Sequence, residues 1–210
     1  MKKINTNIRN CSVVALLIIF LMFGCRSVTP PVEYYTLSPL SAVDVNLATP
    51  SSMQKISLGI GPLSLPEYLT SSKIITRTSP NRIEKDEFHR WAGSFRGDIL
   101  RVLSENLSVL TETTKVAVHP WSMASRPDYI VEIKIHELEG KLGDEVFLKA
   151  FWSIKKTSSP EYSIARLSNI RTKINGSDYE SLIEAKSLAL VNLSKDIATE
   201  FKAIMVKPVE

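Results

Sequence analysis

Five side chains in this 210-residue sequence could ligate a metal or act as a nucleophile through an imidazole or a thiol: three histidines and two cysteines. None of the histidines, His89, His119 and His136, stands in an H-x-x-x-H, H-E-x-x-H or Cys/His pattern of the kind that binds zinc. The sequence has no G-x-S-x-G nucleophile elbow, and its Gly59-Ile60-Gly61-Pro62 stretch lacks the lysine of a phosphate-binding loop. We therefore predict no metal site and assign no catalytic residue.

The cysteine whose surroundings predict chemistry is Cys25, which directly follows a short apolar segment. Residues 11–24 include 12 apolar side chains, and three basic residues precede them. As a helix the segment would be about 21 Å long, which is short for a hydrocarbon core of ~30 Å. A basic start, a short apolar stretch and a small final residue, here Gly24, are typical of a secretory signal peptide.

The sequence Leu21-Met22-Phe23-Gly24-Cys25 resembles the lipobox of bacterial lipoproteins. In that family the thiol receives a diacylglyceryl group, the bond before the cysteine is cut and the new amino terminus is acylated. The resemblance implies that Cys25 carries covalent diacylglycerol and an N-acyl chain such as palmitate, and it implies no other cofactor. Cys11 would leave with the signal. The alternative is an uncleaved anchor in which the cysteine is incidental.

The formal net charge of +4 could indicate a nucleic-acid binder, but three of the basic residues lie in the predicted signal. Without residues 1–24 the chain has 23 basic and 22 acidic residues, a net charge of +1. A near-neutral domain gives little support to polyanion binding, so we expect no nucleic-acid partner.

We predict three segments: a signal peptide at 1–24, a lipid tether at 25–33 and a single domain at 34–210. The eight residues after the cysteine reach at most ~28 Å, so the domain should stay close to its membrane. In Gram-negative lipoproteins an aspartate directly after the lipidated cysteine commonly signals inner-membrane retention. Arg26 and Ser27 stand there instead, which favours the outer membrane, with the domain facing the periplasm.

Hydrophobic periodicity predicts an α+β fold. Apolar side chains at three- and four-residue steps, including Phe88 and Trp91, predict a helix from near Asp86 to Leu110. A second long helix should begin at the capping box Ser177-Asp178-Tyr179-Glu180 and run to Ile204. The predicted strands are 34–37, 55–61, 73–78, 81–85, 115–119, 129–138, 145–155 and 163–174, of which 129–138 and 145–155 should form an antiparallel hairpin. The expected architecture is a mostly antiparallel mixed sheet with both helices packed on one face.

The densest polar and aromatic cluster contains three motifs: P-E-Y-L from Pro66, T-R-T-S-P-N-R from Thr76 and E-F-H-R-W-A from Glu87. A fourth motif, Y-Y-T-L from Tyr34, precedes them. Their spacing resembles the PqiC (YmbA) family of ABC-type transport auxiliary lipoproteins. The family has no known catalytic residues, so we interpret the motif residues as structural or partner-contacting. They are Pro66, Tyr68, Arg77, Ser79, Pro80, Asn81, Arg82, Glu87, His89 and Trp91.

The resemblance implies an outer-membrane lipoprotein that works with an MCE-domain protein of the PqiB type and, indirectly, with an integral inner-membrane subunit of the PqiA type. Such systems are thought to carry lipids across the periplasm and maintain membrane integrity. The first hypothesis is a docking lipoprotein: its acyl chains insert into the outer-membrane lipid, and its domain binds the end of the MCE tube. We also expect it to form a homo-oligomeric ring. A lipid-binding module that shields an acyl chain between helix and sheet is the alternative, and an envelope hydrolase is a third.

Overall fold

The computed structural model describes residues 29–40, 56–122 and 126–206 of the chain. The chain separates into two compact units, residues 1–31 and residues 32–210, and every element named here belongs to the second unit. Cys11 and Cys25 lie outside the described residues. None of the described helices is long and apolar enough to cross a membrane.

Eight strands and two long helices alternate in blocks along the described chain. The strands are β1 (Glu33–Tyr35), β2 (Leu58–Ser64), β3 (Lys73–Ser79), β4 (Arg82–Trp91), β5 (Val116–Val118), β6 (Tyr129–Gly140), β7 (Glu145–Lys156) and β8 (Ser159–Lys173). The helices are α1 (Phe95–Thr111) and α2 (Tyr179–Val206), and a short 3-10 turn covers Glu67–Thr70. The α+β class is confirmed.

The strands form two sheets where the sequence suggested one. A three-stranded sheet has the order β1-β4-β3, and a five-stranded sheet has the order β5-β2-β6-β7-β8. The β3–β4, β6–β7 and β7–β8 pairs are antiparallel, while β2 runs parallel to both β5 and β6, and β1 runs parallel to β4. The predicted β6–β7 hairpin is confirmed. The start of β2 is buried on both faces, as expected of an inner strand with parallel neighbours.

Both helices pack on one face of the five-stranded sheet and against each other. The inward face of β7 alternates through Val146, Leu148, Ala150, Trp152 and Ile154, all buried. These side chains meet the apolar stripes of the helices, such as Leu103 and Leu107 on α1, to form one core. The outward face of the same sheet carries Phe151 and Leu167, which are paired across β7 and β8 and exposed.

The predicted start of the first helix is wrong. Residues Asp86 to Trp91 belong to β4, and α1 begins only at Phe95, where the Ser94 hydroxyl accepts the Gly97 N–H and caps the helix. The cause is an irregularity in β4: Asp86 Oδ1 accepts the N–H groups of Phe88 and His89 at 2.7 and 2.8 Å. Phe88 stands one helical step before Trp91 in the sequence, but of the two side chains only Trp91 belongs to the buried core.

The cap of the second helix also lies one residue later than predicted. Asp178, rather than Ser177, precedes the first helical residue Tyr179, and its Oδ1 accepts the Ser181 N–H at 2.7 Å. This bond lowers the pKa of the Asp178 carboxyl. A carboxylate at this position satisfies an orphan N–H and carries the negative charge that a helix N-terminus favours.

Candidate functional site

The motif residues Tyr68 and Arg77 converge on one buried carboxylate, Glu139 of β6. Tyr68 Oη donates to Glu139 Oε2 at 2.9 Å, and Arg77 Nε donates to Oε1 at 3.0 Å while its Nη2 bonds the same oxygen. Only 2% of the Glu139 side chain is exposed, against 32% for Arg77. Burial and the adjacent Glu139 charge together raise the pKa of Tyr68. The cluster joins the 3-10 turn, β3 and β6.

Arg77 also connects this buried carboxylate to an exposed turn. Its Nη1 donates to the Pro80 carbonyl at 2.7 Å. The turn between β3 and β4 consists of Ser79, Pro80, Asn81 and Arg82, which are all exposed. A solvent-facing turn is thus anchored to the interior through one guanidinium.

A buried lysine lies beside this cluster, where the two sheets and α2 meet. Lys186 of α2 is 1% exposed, and its Nζ donates to the carbonyls of Leu138 at 3.1 Å and Ile75 at 3.5 Å. The ammonium sits 5.8 Å from the ring centres of both Trp91 and Phe95, which are stacked on each other. Burial lowers the pKa of Lys186 to about 8, and the Glu139 charge opposes the shift. With its side chain enclosed on all sides, it holds the two sheets together rather than reaching solvent.

A second cluster of motif residues surrounds His89 and joins β1, β4 and α2. His89 Nδ1 lies 2.7 Å from Asp86 Oδ1, and the imidazole stacks on Tyr179 with ring centres 3.8 Å apart. Tyr179 Oη donates to Asp86 Oδ2 at 3.0 Å. Burial opposes ionisation of Asp86, but the hydrogen bonds from His89, Phe88 and Tyr179 outweigh it and lower its pKa to about 2. Asp86 is therefore charged at neutral pH and links β4 to α2, while the His89 ring lies 5.9 Å from the ring of Tyr35 in β1.

The remaining motif residues lie nearer the surface. Pro66 is half-buried and its carbonyl accepts the Leu69 N–H at 3.1 Å, closing the 3-10 turn. Glu87 is exposed and pairs with Lys73 across β3 and β4. The structure thus brings Tyr68 and Arg77 together, and it places His89 apart from them in its own cluster.

The other two histidines lie away from these clusters. His119 follows β5 and meets the edge of Trp121, with ring centres 5.1 Å apart, while His136 is exposed on β6. Among residues 29–40, 56–122 and 126–206, no group of three or more His, Cys, Asp or Glu side chains is arranged to hold a metal ion.

A groove of about 920 Å³ runs between the chain around β1 and one stripe of α2. Tyr34, Thr36 and Leu40 contribute to one wall, and Leu188 and Val191 to the other. Ser38 N–H donates to Ser187 Oγ at 3.0 Å and fixes the chain to the helix. The groove is open to solvent at the surface, whereas the alternative hypothesis of a lipid-binding module called for a cavity between helix and sheet.

Sequence reasoning missed Glu139, Lys186, Asp86 and the groove. Two of these left a signal. Lys186 falls within the apolar stripe of α2, at three residues from Ile183 and four from Leu190, so a charged side chain had to be buried there. Asp86 stands two and three residues before Phe88 and His89, and at this spacing an Asp carboxylate commonly accepts the backbone N–H groups that follow it in a turn.

Comparisons with known proteins agree with this architecture. A family model described as the ABC-type transport auxiliary lipoprotein component matches residues 35–198. A crystal structure of an uncharacterized protein superposes with a TM-score of 0.66 at 16% identity, covering 82% of this chain and 99% of the other. A Xanthomonas campestris protein of the DUF330 family superposes with a TM-score of 0.59 at 14% identity, again over 82% and 99% of the two chains. These structural likenesses show a shared fold. A search of curated protein sequences gave no significant match.

Proposed function

The chain belongs to the family of ABC-type transport auxiliary lipoprotein components, and from this membership we propose that it is the outer-membrane lipoprotein of an MCE-type lipid transport system. In this role it docks the periplasmic MCE tube to the outer membrane and supports membrane integrity. The observation that carries the proposal is the family match over residues 35–198, which begins ten residues after Cys25. The family is a class of transport auxiliary components, which are not catalysts.

In this proposal the membrane anchor is Cys25, which carries diacylglycerol and an N-acyl chain. Two or three acyl chains give an effectively permanent attachment at ~0.8 kcal/mol per buried methylene. Because residues 26–33 reach at most ~28 Å, the domain stays under the membrane to which the lipid is inserted. A domain held at that height can receive the end of a tube that crosses the periplasm.

The expected partners are an MCE-domain protein of the PqiB type, in direct contact, and an integral inner-membrane subunit of the PqiA type, through the tube. A homo-oligomeric ring of this chain would match the ring symmetry of MCE assemblies. The exposed turn at Ser79–Arg82 and the groove beside α2 are surfaces available to these partners.

The anchor is tested by labelling cells with radioactive palmitate and separating the membranes. We expect Cys25→Ser to abolish labelling and release the chain from the outer membrane, whereas Cys11→Ser, the matched control within the signal, should change neither. Arg26→Asp should move the labelled protein to the inner membrane, and Arg26→Ala should not. Labelling that survives Cys25→Ser would contradict the lipid assignment.

Docking is tested by affinity purification of the full lipoprotein from detergent-solubilised envelopes. We expect the MCE-domain protein to co-purify, and its recovery to be independent of whether the inner-membrane subunit is present. If an intact MCE tube is present in the extract and does not co-purify, the docking function is wrong.

A further inference from the structure

The groove beside α2 is bordered by an unpaired strand edge. Within the described part of the chain β1 has a neighbouring strand, β4, on one side only. The Tyr35 carbonyl accepts the Ala92 N–H at 2.9 Å, so the backbone groups of Tyr35 turn toward β4. In a parallel pair alternate residues turn their N–H and C=O to opposite sides, which directs those of Tyr34 and Thr36 to the free edge. Both residues line the groove and both are exposed.

The wall opposite this edge is one stripe of α2 that mixes apolar and charged side chains. It contains Ile183, Leu188 and Val191, and Leu188 is 49% exposed although it is a large aliphatic residue. From Glu180 to Lys195 the stripe is about 22 Å long at ~1.5 Å per residue. An extended segment of six or seven residues would fill that length at ~3.3 Å per residue.

Acidic side chains of α2 lie at one end of the groove and a basic side chain lies at the other. Glu180 and Glu184 stand at the N-terminal end of the α2 stripe and Lys195 at the other end, all exposed. Neither glutamate has an ion-pair partner among the described residues. Burial first, then Glu33 and Glu180, raise the pKa of Tyr35 to about 12, which is consistent with a negative potential at this end.

We propose that this groove is the docking site for an extended segment of the MCE-domain partner, added as a strand to the free edge of β1. The segment carries basic side chains over Glu180 and Glu184 and an apolar side chain against Leu188 and Tyr34. Addition to a strand edge supplies main-chain hydrogen bonds, and the alternating pockets supply selectivity. The separated charges favour one direction of the segment and speed its encounter. This inference rests on the docking function proposed above.

The test measures the affinity of the full lipoprotein in detergent for the purified MCE-domain protein. We expect Leu188→Glu to weaken binding at least tenfold and the double charge reversal E180K/E184K to weaken it about tenfold with a reduced dependence on salt. The matched control is Leu167→Glu, an exposed leucine on the outward face of the five-stranded sheet that should leave binding unchanged. Circular dichroism checks that each variant is folded.

Hydrogen exchange provides the second measurement. Strand addition should slow exchange at the amides of Tyr34 and Thr36 when the MCE-domain protein is added to the wild type. Exchange rates at these amides that are the same with and without the MCE-domain protein would overturn the inference. If the wild type binds, equal affinities of the Leu188→Glu and Leu167→Glu variants would also overturn it. Loss of co-purifying lipid in Leu188→Glu with unchanged MCE binding would assign the groove to lipid and also overturn it. If the wild type itself does not bind, the docking function fails instead.

Discussion

Replacing Lys186 by methionine should change how the stability of the fold depends on pH. Methionine keeps the unbranched side chain and removes the ammonium of a residue that is 1% exposed. The pKa of Lys186 falls from 10.5 to about 8 in the folded protein, and this shift corresponds to about 3 kcal/mol against the charged form at 1.36 kcal/mol per unit. The wild type therefore carries this penalty at neutral pH, and the variant does not.

The direction of the pH dependence follows from the number of protons that the folded and unfolded states bind. Because the folded pKa is below the unfolded one, the unfolded chain binds more protons between pH 8 and pH 10.5, and the free energy of unfolding rises with pH in that window. Integration predicts that the wild type gains about 2 kcal/mol relative to Lys186→Met between pH 8 and pH 10. The raised pKa values of Tyr35, Tyr68 and Tyr179 oppose this rise near pH 10, but they are common to both proteins and cancel in the difference.

The assay is urea unfolding of residues 25–210 carrying Cys25→Ser, with and without Lys186→Met, at half-unit steps from pH 7 to pH 10. Lys195→Met is the matched control, since it removes an exposed ammonium from the same helix and leaves the buried site intact. Direct titration of the Lys186 Nζ by NMR gives an independent value. A wild-type-minus-variant difference that stays constant from pH 8 to pH 10 would refute the reasoning.

Three further substitutions test the other contacts by the same unfolding assay. Glu139→Gln should cost about 2 kcal/mol because it neutralises a buried partner of the partly exposed Arg77; exposed Glu67→Gln should cost nothing measurable. Leu103→Ala should cost about 3 kcal/mol, since it opens a cavity in the shared core. Ser94→Ala should cost about 1 kcal/mol by removing the α1 cap, and Ser104→Ala, at a partly exposed position within that helix, is its comparison.

The parts of the fold that the sequence predicted correctly are those in which apolar residues recur with one clear period, either that of a strand or that of a helix. The β6–β7 hairpin alternates over two long strands, and α2 keeps a helical stripe for seven turns, so competing interpretations were few. The error at β4 arose where the N–H groups of Phe88 and His89 donate to the Asp86 carboxylate and the register between β3 and β4 shifts. The split into two sheets depends on parallel pairing between strands far apart in the chain, and local periodicity carries no information about that pairing.

The site was less predictable than the fold for a physical reason. The motif identified Tyr68 and Arg77, but their common partner Glu139 lies 62 residues after Arg77 and looks, in sequence, like one more charge on an amphipathic strand. Its burial is decided by the tertiary packing of β3 on β6. The groove likewise needs Tyr34 and Leu188 to line the same space, which depends on tertiary contacts such as the hydrogen bond from Ser38 N–H to Ser187 Oγ.

Arg77 has contacts both in the interior and at the surface, which distinguishes it from its motif neighbours Asn81 and Arg82. Because its guanidinium bonds Glu139 inside and the Pro80 carbonyl outside, the conformation of the exposed turn depends on an interaction that also stabilises the sheet contact. Asn81 and Arg82 have no such inward contact among the described residues: the Arg82 side chain pairs only with exposed Glu84. Surface ion pairs of this kind contribute little to stability. The contacts of the Arg77 guanidinium are therefore made within the fold, whereas the Arg82 guanidinium lies at the surface beside exposed Glu84.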